Sequence, residues 1–101
     1  YHDIVPVMQP SVNQKNTVYD VVGPVCETGD TFAKSRTMHI CKPGELVAFR
    51  SAGAYGAAMA SEYNTRPLVP EVLVNNSNYS AIRERPTLDE IIARDKIPNW
   101  L

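Results

Sequence analysis

The chain has no excess of charge, no long apolar run and almost no cysteine, and each absence excludes a class of function. Ten Lys plus Arg stand against eleven Asp plus Glu, a net charge of −1. That leaves no basic surplus for nucleic acid or for an anionic membrane surface. The longest apolar stretches, such as Ala57-Ala58-Met59-Ala60, are far too short to cross a bilayer. No charged leader followed by an apolar segment reads as a signal peptide. The only cysteines are Cys26 and Cys41. With no C-x-x-C and no Cys/His cluster, the pattern argues against a zinc site, and no metal ligand set is expected. Two reduced thiols in a cytoplasmic protein are the expectation. There is no internal repeat and no low-complexity segment.

What is present is an ordinary globular composition, 44% hydrophobic and 21% charged over 101 residues. That argues against intrinsic disorder and leaves room for one domain with a modest core. The first residue is Tyr1 rather than Met, and Tyr1-His2-Asp3-Ile4-Val5-Pro6-Val7 already reads as the middle of a domain. The expectation is a piece of a longer protein, with an interface to a further segment or a partner chain.

Turn residues punctuate the chain: Gly23-Pro24, Thr28-Gly29-Asp30, Lys42-Pro43-Gly44, Arg66-Pro67 and Asn75-Asn76-Ser77-Asn78. Between them lie β-forming runs, Ile4–Met8, Val18–Val22, Leu46–Phe49, Val69–Val74 and Tyr79–Ile82. The spacing predicts a mainly β fold, a barrel or sandwich, with Asn13–Asn16 as an exposed hairpin tip. Two segments depart from it. Gly53–Tyr63 is Ala-rich and lacks β-branched residues, so a short helix is expected near 56–62. Thr87-Leu88-Asp89-Glu90 is a capping box after Pro86. It predicts a helix over 88–94 with Leu88, Ile91 and Ile92 on one face, stopped by Pro98. Trp100 reads as a tail residue packed on apolar surface.

Two stretches could carry chemistry. In Val21-Val22-Gly23-Pro24-Val25-Cys26-Glu27-Thr28-Gly29-Asp30 a strand runs into Gly-Pro, and Cys, Glu and Asp crowd the following turn. A thiol beside a carboxylate in a strand-end loop can serve as nucleophile or proton donor. On spacing alone a buried Cys beside a solvated turn is the blander alternative. His2 and His39 supply no evident general base, so a Cys/His hydrolase reads poorly. In Arg50-Ser51-Ala52-Gly53-Ala54-Tyr55-Gly56, small residues surround one Tyr at a strand end. Its hydroxyl could donate to an anion, and a helix start beside it would help hold a phosphate. A core Tyr among small packing residues is the alternative.

These residues resemble a known family. "YDVVGPVCETGDTFAK" and "GELVAFRSAGAYGAAMASEYNTRPLVPEVLV" are similar to the C-terminal part of the diaminopimelate decarboxylases, members of the fold-type III pyridoxal-phosphate decarboxylases. The likeness runs from "YHDIVPV" to "RERPTLDEI". Ornithine and arginine decarboxylases share the Cys-acidic pair and the Gly-Ala-Tyr. Glu27 and the "MASEYNTRP" continuation favour the diaminopimelate branch. Glu62 departs from an Asn common at that position.

The resemblance implies a two-domain enzyme. An N-terminal (β/α)8 barrel would bind pyridoxal 5'-phosphate, and residues 1–101 would form a C-terminal, Greek-key-like β-barrel. None of Lys15, Lys34, Lys42 and Lys96 matches the cofactor-anchoring lysine, which lies in the other domain. The family's extreme N-terminal residues also contribute strands to this barrel. By resemblance Cys26 is the catalytic proton donor and Glu27 binds substrate. Tyr55 contacts the cofactor phosphate and lies near the substrate. The loop carrying Cys26 and Glu27 would reach into the active site of the other subunit of a homodimer, and should therefore be exposed. Asp30, Asn64 and Arg66 read as structural, closing turns and pairing at the surface. The implied reaction is decarboxylation of meso-diaminopimelate to L-lysine, with this chain alone inactive. A sister decarboxylase of another basic amino acid or a carboxylated polyamine is the enzymatic alternative. A non-catalytic β-barrel interaction module is the other.

Overall fold

A computed structural model describes residues 2–101, which divide into two units, one ending at Ala57 and one running from Ala58 to Leu101. The first unit contains β1 (Ile4–Pro6), β2 (Asn16–Val22), β3 (Thr31–His39) and β4 (Val47–Phe49), and α1 (Gly53–Ala58) begins at its end. The second holds β5 (Glu71–Asn75), β6 (Asn78–Arg83) and α2 (Leu88–Ile92). The chain is mainly β with short helices. Among the described residues, however, the strands form three antiparallel pairs, β1 with β4, β2 with β3 and β5 with β6, and not a closed barrel. Each ribbon keeps open edges.

In the first unit β1 faces β4 with Ile4 opposite Phe49. Phe32 of β3 meets Phe49 at 4.7 Å between ring centroids, so aromatic packing joins the two ribbons. Ile4, 7% exposed, is the only buried hydrophobic among the described residues. The Arg50 N–H donates to the Asp3 carbonyl at 2.8 Å and the Val7 N–H to the Leu46 carbonyl at 2.9 Å. Both bonds extend the β1–β4 ladder past its ends.

The longest strand, β3, is the one the β-forming runs did not predict. Lys34-Ser35-Arg36 interrupts its apolar residues. It forms because β2 lies opposite, from Asn16 against His39 to Val22 against Thr31. The register slips around Asp20 and Val21. There the Asp20 carboxylate accepts the Ser35 N–H at 2.7 Å, with Ser35 in the left-handed region at φ 50. A bulge of this kind bends the ribbon. Nor is Asn13–Asn16 a hairpin tip: β1 and β2 pair with other strands. The turn lies earlier, where the Gln14 N–H donates to the Ser11 carbonyl at 2.9 Å, and Asn16 already belongs to β2.

Both helices are shorter than expected. Helix α1 starts at Gly53 rather than Gly56, because Ser51 at φ 54 turns the chain sharply out of β4. The Ala52 carbonyl then accepts the Gly56 N–H at 2.7 Å. It ends at Ala58; downstream, Asn64 and Thr65 both have positive φ. Helix α2 begins as the capping box dictates. Thr87 Oγ1 accepts the Glu90 N–H at 3.2 Å, and Glu90 Oε2 accepts the Thr87 N–H at 2.8 Å. It ends at Ile92, where Arg94 and Asp95 donate three residues back to Ile91 and Ile92 and tighten the last turn. Glu62 accepts two bonds from Arg94, at 2.5 and 3.0 Å, in a forked ion pair. Of the apolar face expected on α2, only Ile91 is partly buried; Leu88 and Ile92 are exposed. Trp100, 78% exposed, is not packed as a covered tail residue.

Candidate functional site

The loop between β2 and β3 carries Cys26 and Glu27, and its shape follows from three short-range devices. Gly23 continues the ladder, donating its N–H to the Asp30 carbonyl at 2.7 Å. Pro24 has no N–H to satisfy. The Val25 N–H donates to Asp30 Oδ2 at 2.9 Å. Past Cys26, a 3₁₀ turn over Thr28–Asp30 takes Glu27 as its N-cap. Glu27 Oε2 accepts the Gly29 N–H at 2.6 Å, and Oε1 accepts the Thr28 hydroxyl at 3.2 Å. Side-chain capping of this kind replaces the missing backbone partners of a helix start.

Cys26 is a free thiol on the exposed apex of this loop. Glu27 is exposed as well. The expectation that both lie on an exposed loop is borne out, and the buried-Cys alternative is not. Glu27 is not idle, because its carboxylate already holds two local donors. A carboxylate has about four acceptor positions, so room remains for a cation. Asp30 closes the turn, as its position after Gly29 predicted. Its bond to Val25 has no sequence signature, since nothing periodic marks a side chain returning to a loop amide.

Tyr55 lies on a different element, α1, just after the turn that leaves β4. It is 72% exposed, so it is no core residue. Gly53 and Gly56 flank it, and a side chain added at either would meet nothing within 4 Å. Six residues make too short a helix to be stable by itself. What the element offers a ligand is the accessible phenol and the open space around it. An exposed hydroxyl donor of this kind fits a phosphate group such as that of pyridoxal phosphate. Asn64, at φ 56 within a 3₁₀ turn, fits its structural reading, since Asn tolerates that region.

Residues 1–53 match the family described as pyridoxal-dependent decarboxylase, C-terminal sheet domain. The chain belongs to this family. It has relatives along its whole length. It is 46% identical over 101 residues to the diaminopimelate decarboxylase of Zymomonas mobilis, covering 100% of this chain and 23% of that protein. It is 48% identical over 92 residues to the diaminopimelate decarboxylase of Aquifex aeolicus, covering 91% of this chain and 21% of that protein. The chain thus spans less than a quarter of the length of these curated relatives. Among solved structures, diaminopimelate decarboxylase from M. jannaschii in complex with L-lysine superposes with a TM-score of 0.86 at 34% identity. That match covers 100% of this chain and 23% of that one. The Helicobacter pylori enzyme, also complexed with L-lysine, gives 0.79 at 38% identity, covering 92% of this chain and 22% of that one. No helix among the described residues is long and apolar enough to cross a membrane.

Proposed function

We propose that this chain is the C-terminal part of a diaminopimelate decarboxylase, which removes CO2 from meso-diaminopimelate to give L-lysine, as a step of lysine biosynthesis in the cytoplasm. The observation that carries the reading is the exposed, internally braced loop presenting Cys26 and Glu27, in a chain 46% identical along its length to an enzyme of that name. When bound, pyridoxal phosphate supplies the electron sink for the charge left at Cα as CO2 departs. The remaining tasks fall to side chains. Cys26 Sγ delivers a proton to Cα from one face. The Glu27 carboxylate pairs with the distal ammonium of the substrate. The Tyr55 hydroxyl donates to the cofactor phosphate and borders the substrate. The lysine that anchors the cofactor belongs to an N-terminal (β/α)8 barrel outside this chain.

The working unit in this proposal is a homodimer with shared active sites, the loop 23–30 reaching across to the other subunit. The open edges of the three ribbons support a further reading, that segments outside this chain complete them into a β-barrel. Strand edges left unpaired are what additional strands cover.

The test is Cys26→Ala in the full-length protein. Positioned acid–base groups contribute about 10²–10⁴ in rate, so turnover should fall by that order while cofactor affinity stays near that of the unaltered protein. Full turnover with unchanged product stereochemistry would remove Cys26 from the reaction.

A further inference from the structure

The loop that carries Cys26 is tied twice to one residue. The Asp30 carbonyl accepts the Gly23 N–H at 2.7 Å and the Asp30 carboxylate accepts the Val25 N–H at 2.9 Å. Pro24, between them, has no N–H. Every backbone donor from Gly23 to Val25 is therefore held by Asp30. The carboxylate fills the space beside Gly23 where a side chain would stand, and a methyl added there would land on both of its oxygens. The peptide it grips is Pro24–Val25, one residue ahead of Cys26. The far half of the loop is held separately, by the Glu27 carboxylate on Gly29 and Thr28.

The two carboxylates divide the loop. Loss of the Asp30 carboxylate releases the Val25 N–H, keeps the Gly23 bond to the Asp30 carbonyl, and leaves the 3₁₀ turn under Glu27 braced. We infer that Asp30 is a positioning residue for Cys26, fixing through the Val25 amide where the thiol stands when it protonates Cα. This rests on the reading of Cys26 as proton donor. A thiol displaced by about 1 Å can lose on the order of 10²-fold in rate, without any loss of the group that binds substrate.

The experiment is steady-state kinetics of the full-length protein, saturated with pyridoxal phosphate, on meso-diaminopimelate. Asp30→Ala should lower kcat by about 10- to 10²-fold and leave KM within about twofold. Asp30→Asn keeps an oxygen acceptor for the Val25 N–H and should recover kcat to within about threefold of the unaltered protein. Gly23→Ala displaces the same carboxylate from another position, and should reproduce the kcat loss if Asp30→Ala fails to fold. In a Cys26→Ala background, Asp30→Ala should cost nothing further, because the thiol it positions is gone. A merely structural Asp30 would cost the same factor in both backgrounds. That result, an unchanged kcat in Asp30→Ala, a loss confined to KM, or failure of Asn to rescue would each overturn the inference. If Cys26→Ala itself keeps full turnover, the proton-donor reading falls and this inference with it. A loss in Cys26→Ala with none in Asp30→Ala removes the inference alone.

Discussion

Gly23→Ala should change the sign of its effect on stability according to what stands at position 30. Gly23 is not in the left-handed region, where Gly44 is the only glycine, so alanine meets no backbone strain there. Replacing glycine at such a site normally stabilises by about 0.4–1 kcal/mol, because the unfolded chain loses freedom. Here the new methyl collides with the Asp30 carboxylate, which must swing away and release the Val25 N–H. A hydrogen bond to a charged acceptor contributes about 1.5–3 kcal/mol, and the half-exposed loop lets water recover part of it. The loss outweighs the gain, and Gly23→Ala should destabilise by about 1 kcal/mol. In an Asp30→Ala background the methyl has room and no bond remains to break, so the same substitution should stabilise by about 0.4–1 kcal/mol. The assay is urea unfolding of the four full-length proteins at one protein and cofactor concentration, read as a double-mutant cycle. Equal effects of Gly23→Ala in the two backgrounds would refute the steric coupling.

Other outcomes follow from the caps and the exposed phenol. Thr87→Ala removes the hydroxyl half of the capping box and leaves the backbone half in place; it should cost about 1 kcal/mol, seen as faster amide exchange across Leu88–Ile92. The Thr87 backbone N–H and then its hydroxyl hold the Glu90 carboxyl below its ordinary value of 4.5. Because the folded value is depressed, the stabilisation is present above the ordinary value and fades as pH falls through it toward the lower folded one. Protection of the α2 amides, taken relative to their intrinsic exchange rates at each pH, should therefore fall over that acid window in the unaltered protein and much less in Glu90→Gln. Tyr55→Phe should weaken retention of pyridoxal phosphate in the full-length protein, by up to about 1.5–3 kcal/mol for a hydrogen bond to a charged acceptor, measured by cofactor titration. Unchanged affinity would leave Tyr55 without the phosphate contact.

Five of the six strands were legible because runs such as Val18–Val22 and Tyr79–Ile82 lie between strong turn residues. The sixth, β3, was not, because Lys34-Ser35-Arg36 and the bulge opposite Asp20 break the alternation that marks a strand. Pairing with β2, not intrinsic preference, makes that segment extended. The capping box located the start of α2 to the residue, since its two bonds are local. Burial was less legible. The spacing of Leu88, Ile91 and Ile92 identifies a face that favours cover, and says nothing of whether cover is present in the chain. At the site, Gly-Pro and Thr-Gly-Asp marked a turn around Cys26 and Glu27, whereas the exposure of the thiol was expected from the family resemblance and not from the spacing, which left a buried Cys open. The grip of Asp30 on Val25 depends on where a side chain turns within that loop, which spacing alone does not encode.

The β5–β6 ribbon has a consequence for handling the chain outside its full-length setting. Val72, Leu73, Val74, Tyr79 and Ile82 are all exposed, and the ribbon has two open edges among the described residues. A short β-prone apolar segment with unpaired backbone is the template on which like strands stack into fibres. Its guards are few: Pro70 ahead of the ribbon, the Glu71–Arg83 ion pair where its strands begin and end, and the Asn-rich turn at its tip. Expressed as a separate polypeptide, this segment should nucleate self-association, and a lysine at Leu73 should raise solubility before it changes anything else.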